Sequence, residues 1–301
     1  MSKNIGLVGL GIMGSSFARN LLAKGFHVVG YDIDITRMEE LEKEGLEKAD
    51  SPLEVANKCQ HVITSLPSPI ALIAAIESST GLASCTTKLT IADTGTLALH
   101  DKERALNILE KSGHILLDCP VSGTGAQAVN ADLVILGSGD QIGFDAMKPY
   151  FAAIGRETHY LGQFGNGSRM KYVANLLVTI HNVSSAEAMA FGMKSGIAPE
   201  TIYEVLKSSA GSSRMFEVRG PMMVRNEYDK NVSANFKTMA KDLSIISQFA
   251  QSIDCPTPLF STAANIHSAA VAQGLEESDT ASVCVVMEKL CGVDRSKINK
   301  I

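Results

Sequence analysis

Three glycines and an acid carry the first chemical signal in this chain. Gly9-Leu10-Gly11-Ile12-Met13-Gly14 follows the apolar run Ile5–Val8, and Asp32 closes a second run, Phe26–Tyr31. In a dinucleotide site each glycine has a task. Gly9 permits the tight turn out of a strand, Gly11 lets the backbone approach a pyrophosphate, and Gly14 lets a new helix pack close to the sheet. The helix N-terminus then presents N–H groups and partial positive charge to phosphates, and Ile12 and Met13 of the loop are expected to contact the cofactor. Asp32 is placed to accept the ribose hydroxyls of adenosine. A carboxylate there repels a 2′-phosphate, so NAD is expected and NADP disfavoured. Arg37 is the counter-signal, because an arginine nearby can hold that phosphate; its plainer reading is a solvated helix position. A purely structural glycine turn is the rival for the whole segment.

The second signal is Gly165-Asn166-Gly167-Ser168-Arg169-Met170-Lys171-Tyr172-Val173-Ala174-Asn175. Two glycines open a helix, Lys171 sits in its first turns, and Asn175 is four residues on, on the same face. A lysine close to a helix N-terminus meets an unfavourable dipole, and burial in a cleft would depress its pKa further. That suits a general acid/base near neutral pH. Asn175 could hold the lysine or a substrate oxygen. From spacing alone, a surface lysine and a helix-face asparagine are the commoner outcome.

The elements that must position these groups alternate through the first half. Buried-strand runs are expected at Ile5–Val8, Val28–Tyr31, His61–Leu66, Leu89–Asp93, His114–Asp118 and Leu133–Leu136. Helical patterns fall between them at Ser15–Lys24, Thr36–Glu44, Pro69–Glu77 and Leu99–Lys111. This alternation predicts an α/β, Rossmann-type doubly wound parallel sheet over residues 1–163. Ligands of such sheets lie beyond the carboxyl ends of the strands. The segments to watch are therefore Gly9–Gly14, Asp32, Leu66-Pro67-Ser68, Thr94–Thr96 and Pro120–Gly125. From 164 to 301 the pattern is helical only, at Ser168–Lys194, Glu200–Ser208, Phe236–Gln251, Phe260–Gln273 and Asp279–Leu290. Gly196, Gly211, Pro221, Pro256 and Gly274 punctuate the joints. An all-α substrate and dimerisation domain is expected there. The helix at 168–194 is too long for its own small domain to bury, so it is expected to span both domains or to bury a face against a second subunit, as in a homodimer or homotetramer; one long amphipathic helix inside a monomer is the rival.

Composition narrows the partners. The formal net charge of −5 gives no basis to expect nucleic acid or an anionic membrane. No apolar run is long enough to span a bilayer, and the glycine-rich N-terminus does not read as a signal peptide. The six cysteines form no C-x-x-C pair and no Cys/His cluster with zinc spacing. They read as small buried hydrophobes of a reduced, cytoplasmic protein that needs no metal.

With these segments in hand, the chain resembles the β-hydroxyacid dehydrogenase family, which includes 3-hydroxyisobutyrate dehydrogenases. The likeness spans nearly the whole length. It rests on Gly9–Gly14, on Asp118-Cys119-Pro120-Val121-Ser122-Gly123, on Gly165–Asn175 and on Lys241-Asp242-Leu243, in that order. The resemblance implies that Lys171 is the catalytic lysine and Asn175 its partner one turn on. It implies that Ser122 and Gly123 hold the substrate carboxylate, with Thr124 beside them. Thr96 falls near the nicotinamide, and Lys241 lies by the cofactor. Asp242 and Phe236 read first as helix charge and packing. The family commonly has Asp-Met-Ser-Thr at Asp93-Thr94-Gly95-Thr96, a second glycine at Thr124 and an asparagine at Ala174. Those departures leave the lysine chemistry intact and bear on the substrate.

Ala210–Arg219 and Asp279–Ser282 are similar to L-threonate dehydrogenase-like members. Ser212 and Ser213 there could bond the extra hydroxyls of a sugar acid, or could simply cap a helix. The reaction implied is hydride transfer between nicotinamide and the β-carbon of a short 3-hydroxy acid, with Lys171 moving the hydroxyl proton. A non-catalytic dinucleotide-binding module and a reductase of a carbonyl or imine lacking a carboxylate are the rivals. The family's non-catalytic and imine-reducing members typically lack the lysine that this chain keeps.

Overall fold

The computed structural model describes residues 4–230 and 232–298. The chain divides into two compact units, residues 1–171 and 172–301.

In the first unit six strands form one parallel sheet. They are β1 (Asn4–Val8), β2 (His27–Tyr31), β3 (Glu47–Lys48), β4 (His61–Thr64), β5 (Thr90–Asp93) and β6 (Ile115–Asp118), in the spatial order β3-β2-β1-β4-β5-β6. The helices α1 (Ile12–Ala23), α2 (Ile35–Glu42), α3 (Pro52–Lys58), α4 (Pro69–Glu77) and α5 (Leu99–Lys111) connect them. The strands are apolar on both faces because both faces are covered. Ile5, Leu7, Val28 and Leu117 pack with Phe17 and Leu21 on one side. Val8, Val29, Ile91 and Leu116 pack with Leu72, Ile76 and Leu109 on the other. Such alternation within continuous apolar runs is the mark of a doubly covered parallel sheet. The chain moves outward from β1 through β2 to β3, then restarts on the other side of β1 at β4. That reversal opens the ligand crevice at the carboxyl ends.

One expected strand is placed differently. Residues of Leu133–Leu136 do not extend the parallel sheet. They contribute to β8 (Val134–Gly137), in a separate three-stranded sheet with β7 (Val121–Ser122) and β9 (Glu157–Tyr160). β7 pairs antiparallel with β8, and β8 parallel with β9. Between β6 and β8 the chain forms β7 and the five-residue α6 (Gly125–Val129), and β8 returns antiparallel beside β7 instead of crossing over to extend the parallel sheet. The helix α7 (Gln141–Ile154) then packs Phe144, Met147 and Phe151 into the α1 side of the core.

The helix α8 (Asn166–Lys194) continues from the first unit into the second. There it joins α9 (Pro199–Leu206), α10 (Arg214–Arg225), α11 (Phe236–Ser252), α12 (Pro258–Ala272) and α13 (Val283–Cys291). Val183, Met189, Phe216, Met223, Phe236 and Val286 share their core. The helix α10 runs through Pro221, which the sequence reading takes as a joint. A proline inside a helix leaves the carbonyl four residues earlier without its donor. Here that carbonyl, on Glu217, accepts the Tyr203 hydroxyl at 3.2 Å. Burial of Phe216, Gly220 and Met223 carries the helix past the proline. Among the described residues no helix is long and apolar enough to cross a membrane.

Candidate functional site

The glycine loop is built by interlocking backbone. Gly9 has φ +92°, a conformation that disfavours any side chain, and donates its N–H to the Tyr31 carbonyl at 2.9 Å. A Cβ at Gly14 would fall on the Gly9 carbonyl oxygen. Gly11 is the N-cap of α1, makes no side-chain cap, and is followed by no acid in the first turn. The first N–H groups of α1, at Ile12, Met13 and Gly14, therefore face an end that suits an anion. This fits a dinucleotide pyrophosphate.

Asp32 lies just past β2 and is 7% exposed. Its Oδ2 accepts the Leu10 N–H at 2.6 Å and its Oδ1 the Asp34 N–H at 2.9 Å. The carboxylate thus ties the glycine loop to the end of β2 and keeps spare lone pairs for hydroxyl donors. Arg37 is not simply solvated. Its guanidinium lies 3.6 Å from Asp32 Oδ2 and 3.2 Å from Asp34 Oδ2, so two acids engage its charge at the rim of the site.

The other strand ends meet this loop. Leu66, past β4, would be 2.9 Å from a Cβ at Gly9, and its carbonyl 3.3 Å from one at Gly95. Pro67 follows it, ahead of Ser68, the N-cap of α4. Thr96 is half-buried beyond β5. Ser122 ends β7 and Gly123 turns at φ +141°. Thr124 has a local duty that its sequence position did not show: it caps α6 in a capping box with Gln127. Ile12 of the glycine loop would touch a Cβ at Gly125 at 2.9 Å, so the two loops are neighbours.

Lys171 sits in the second turn of α8, 8% exposed. Asn175, one turn on, is likewise buried and donates to Asp242 Oδ2 on α11 at 2.9 Å. Lys241 Nζ is 3.5 Å from the other oxygen of Asp242. Asp242, read from sequence as helix charge, is therefore the side chain that fixes Asn175. The triplet Lys241-Asp242-Leu243 was its signal. In the second unit Ser213 caps α10 by accepting the Phe216 N–H at 3.1 Å. The Ser212 hydroxyl is buried without a hydrogen-bond partner among the described residues. It borders a cavity of about 230 Å³ that His181, Ser185 and Phe216 also line.

Sequence reading missed a buried charge cluster below the strand ends. Lys102 on α5 is fully buried, 2.7 Å from Asp118 Oδ1 and 3.0 Å from Asp93 Oδ2. Burial opposes its charge, but Asp118 and Asp93 outweigh that and raise its pKa above the ordinary lysine value. The contact with Asp93 is an ion pair outside hydrogen-bond geometry.

Comparison with known proteins identifies the family. The family model for the NAD binding domain of 6-phosphogluconate dehydrogenase matches residues 4–162. That for the NAD-binding region of NADP-dependent 3-hydroxyisobutyrate dehydrogenase matches residues 165–287. L-threonate dehydrogenase of Cupriavidus necator is 31% identical over 286 residues, which is 94% of this chain and 95% of that protein. The mitochondrial 3-hydroxyisobutyrate dehydrogenase of Rattus norvegicus is 30% identical, over 93% of this chain and 85% of its own. The crystal structure of a 3-hydroxyisobutyrate dehydrogenase from Salmonella typhimurium superposes with a TM-score of 0.82 at 27% identity, covering 94% of this chain and 99% of that one. With two family models spanning residues 4–162 and 165–287 and relatives of 30–31% identity matched along nearly all its length, the chain belongs to the 3-hydroxyisobutyrate dehydrogenase-like family of NAD(P)-dependent β-hydroxyacid dehydrogenases.

Proposed function

We propose that this enzyme carries out reversible hydride transfer at the β-carbon of a short 3-hydroxy acid, with NAD preferred over NADP. The observation that carries the reading is Lys171: a buried ammonium-bearing side chain, one turn from an asparagine that is itself held by Asp242. In oxidation, neutral Lys171 Nζ takes the proton of the substrate hydroxyl as the carbon loses hydride; in reduction its ammonium returns that proton. Asn175 holds the reacting oxygen or the lysine in line. The Ser122 hydroxyl and Gly123 N–H receive the carboxylate, and the Thr124 methyl narrows that pocket. Gly9, Gly11, Ile12, Met13, Gly14 and Asp32 hold the dinucleotide, with Leu66, Pro67, Thr96 and Lys241 along its length. When bound, it supplies the hydride acceptor.

Residues 1–163 are read as the cofactor domain and 164–301 as the substrate and dimerisation domain. The free cysteines suit a reducing, cytoplasmic setting. The relatives named for L-threonate and 3-hydroxyisobutyrate put those acids first. The test is a panel of 3-hydroxy acids with NAD and, separately, NADP, read by reduced-cofactor absorbance. Turnover of one acid with NAD is expected. Bound NAD with no acid turned over would overturn the proposal and favour a non-carboxylate carbonyl or imine substrate.

A further inference from the structure

The buried cluster around Lys102 does more than fill the core. The register of the sheet sets Asp93 of β5 directly beside Asp118 of β6, and Lys102 lies between their carboxylates. Asp93 Oδ1 also accepts the Thr64 hydroxyl from the end of β4 at 2.7 Å. Asp118 reaches further. Its Oδ2 accepts the Ser168 N–H at 2.7 Å, and its Oδ1 the Ser168 hydroxyl at 2.8 Å. The Gly167 N–H donates to the Ser138 hydroxyl at 2.9 Å, and that hydroxyl lies 3.2 Å from the Asp118 carbonyl. A Cβ at Gly167 would fall on the Leu136 carbonyl oxygen, so the start of α8 is pressed onto the strand backbone. A strand carboxylate thus caps the helix that carries Lys171, and Lys171 is three residues beyond the capped Ser168.

The charges favour this arrangement. Two carboxylates and one ammonium leave a single negative charge, facing the positive end of the α8 dipole. Without the ammonium, the two adjacent buried carboxylates repel each other and Asp118 Oδ1 loses the donor that holds it in place. A displaced Asp118 grips the helix N–H group less well.

We propose that Lys102 is a positioning residue for hydride transfer: by holding the Asp118 carboxylate in place, it sets the register of the α8 N-terminus and so the place of the Lys171 ammonium. This rests on Lys171 being the acid/base group of the proposed function. It assigns to the buried ammonium a role in turnover beyond stability.

A charge cycle tests it, with kcat expressed per NAD-binding site so that unfolded protein does not count. Lys102→Met keeps the side chain's length and removes its charge. It should lower kcat about 10- to 100-fold, the scale of a small misplacement of a reacting group, with the KM for NAD within about twofold of the parent. Adding Asp93→Asn restores a single negative charge, on Asp118, and should recover most of that loss, a coupling expected of contacting residues. A Lys102→Met protein with parental kcat, or a double variant no faster than the single, would overturn the proposal. Should Lys102→Met not fold, Ser168→Ala removes only the hydroxyl arm of the anchor. A kcat several-fold lower is then expected, and an unchanged one overturns the proposal. Lys171→Ala run in parallel separates the two claims. If it keeps parental turnover, the acid/base assignment has failed; if it is inactive while the Lys102 variants are unaffected, only the positioning role has.

Discussion

At the scale of single residues, the groups named from local spacing and those found only in three dimensions divide along a physical line. Gly9, Gly11 and Gly14 were legible because their roles are backbone roles, set within six residues. Asp32 was legible because it ends an apolar run. Asp242 and Lys102 were not, because their importance comes from partners 67 and 16 residues away that only packing and sheet register bring near. Arg37 was half legible: its place on α2 was plain, but its pairing with Asp32 and Asp34 was not. Asp32 also shows how a substitution should be chosen. Because it accepts the Leu10 and Asp34 N–H groups, Asp32→Ala would disturb the loop as well as the charge. Asp32→Asn keeps the size and removes the charge. It should weaken NAD by about tenfold, the worth of one charge-assisted hydrogen bond, and narrow the NAD-to-NADP ratio of kcat/KM. A ratio that stays put, or a parent enzyme already preferring NADP, contradicts the role given to Asp32.

At the scale of elements, periodicity located α4 and α5 to the residue and most strands to within one or two. It failed where a local rule was overridden. The helix α10 exists through Pro221 because Tyr203, on α9, supplies the missing donor to Glu217. Strands β7 and β9 are too short or too exposed to leave an apolar run. The helix α12 carries a further consequence. His267 there is buried, packs edge-on against Phe236 at 5.2 Å, and has no hydrogen-bond partner on either ring nitrogen among the described residues. Burial, and secondarily the Arg219 charge, lower its pKa to about 4. The unfolded chain, with an ordinary histidine, binds this proton first as pH falls. The contribution is therefore intact above about pH 6.5 and is lost progressively down to about pH 4, with a ceiling of about 3 kcal/mol. Denaturant unfolding between pH 7 and 4.5 should show the decline, and His267→Leu should flatten it. A variant with the parental slope would show that other groups carry the acid sensitivity.

At the scale of the whole molecule, composition and alternation were enough to foresee a parallel α/β sheet followed by helices, because buried strands and amphipathic helices differ in period. The separate β7-β8-β9 sheet was not foreseen, since the two-residue β7 and the exposed β9 leave no apolar pattern. The long helix α8 leaves Met170, Val173, Leu177 and Phe191 exposed, Phe191 by 75%, at spacings that share one side of a helix. Such a stripe supports the expected homo-oligomer. Sedimentation equilibrium should find a dimer or tetramer, and Leu177→Glu with Phe191→Glu should shift it toward monomer; a parent that sediments as a monomer contradicts the assembly. The central claim is that Lys171 moves the proton. The most direct measurement is single-turnover hydride transfer by Lys171→Ala on an acid the parent turns over, with NAD affinity measured alongside. Unchanged NAD binding and a rate lower by about 10²- to 10⁴-fold are expected. Near-parental turnover would contradict that role of Lys171.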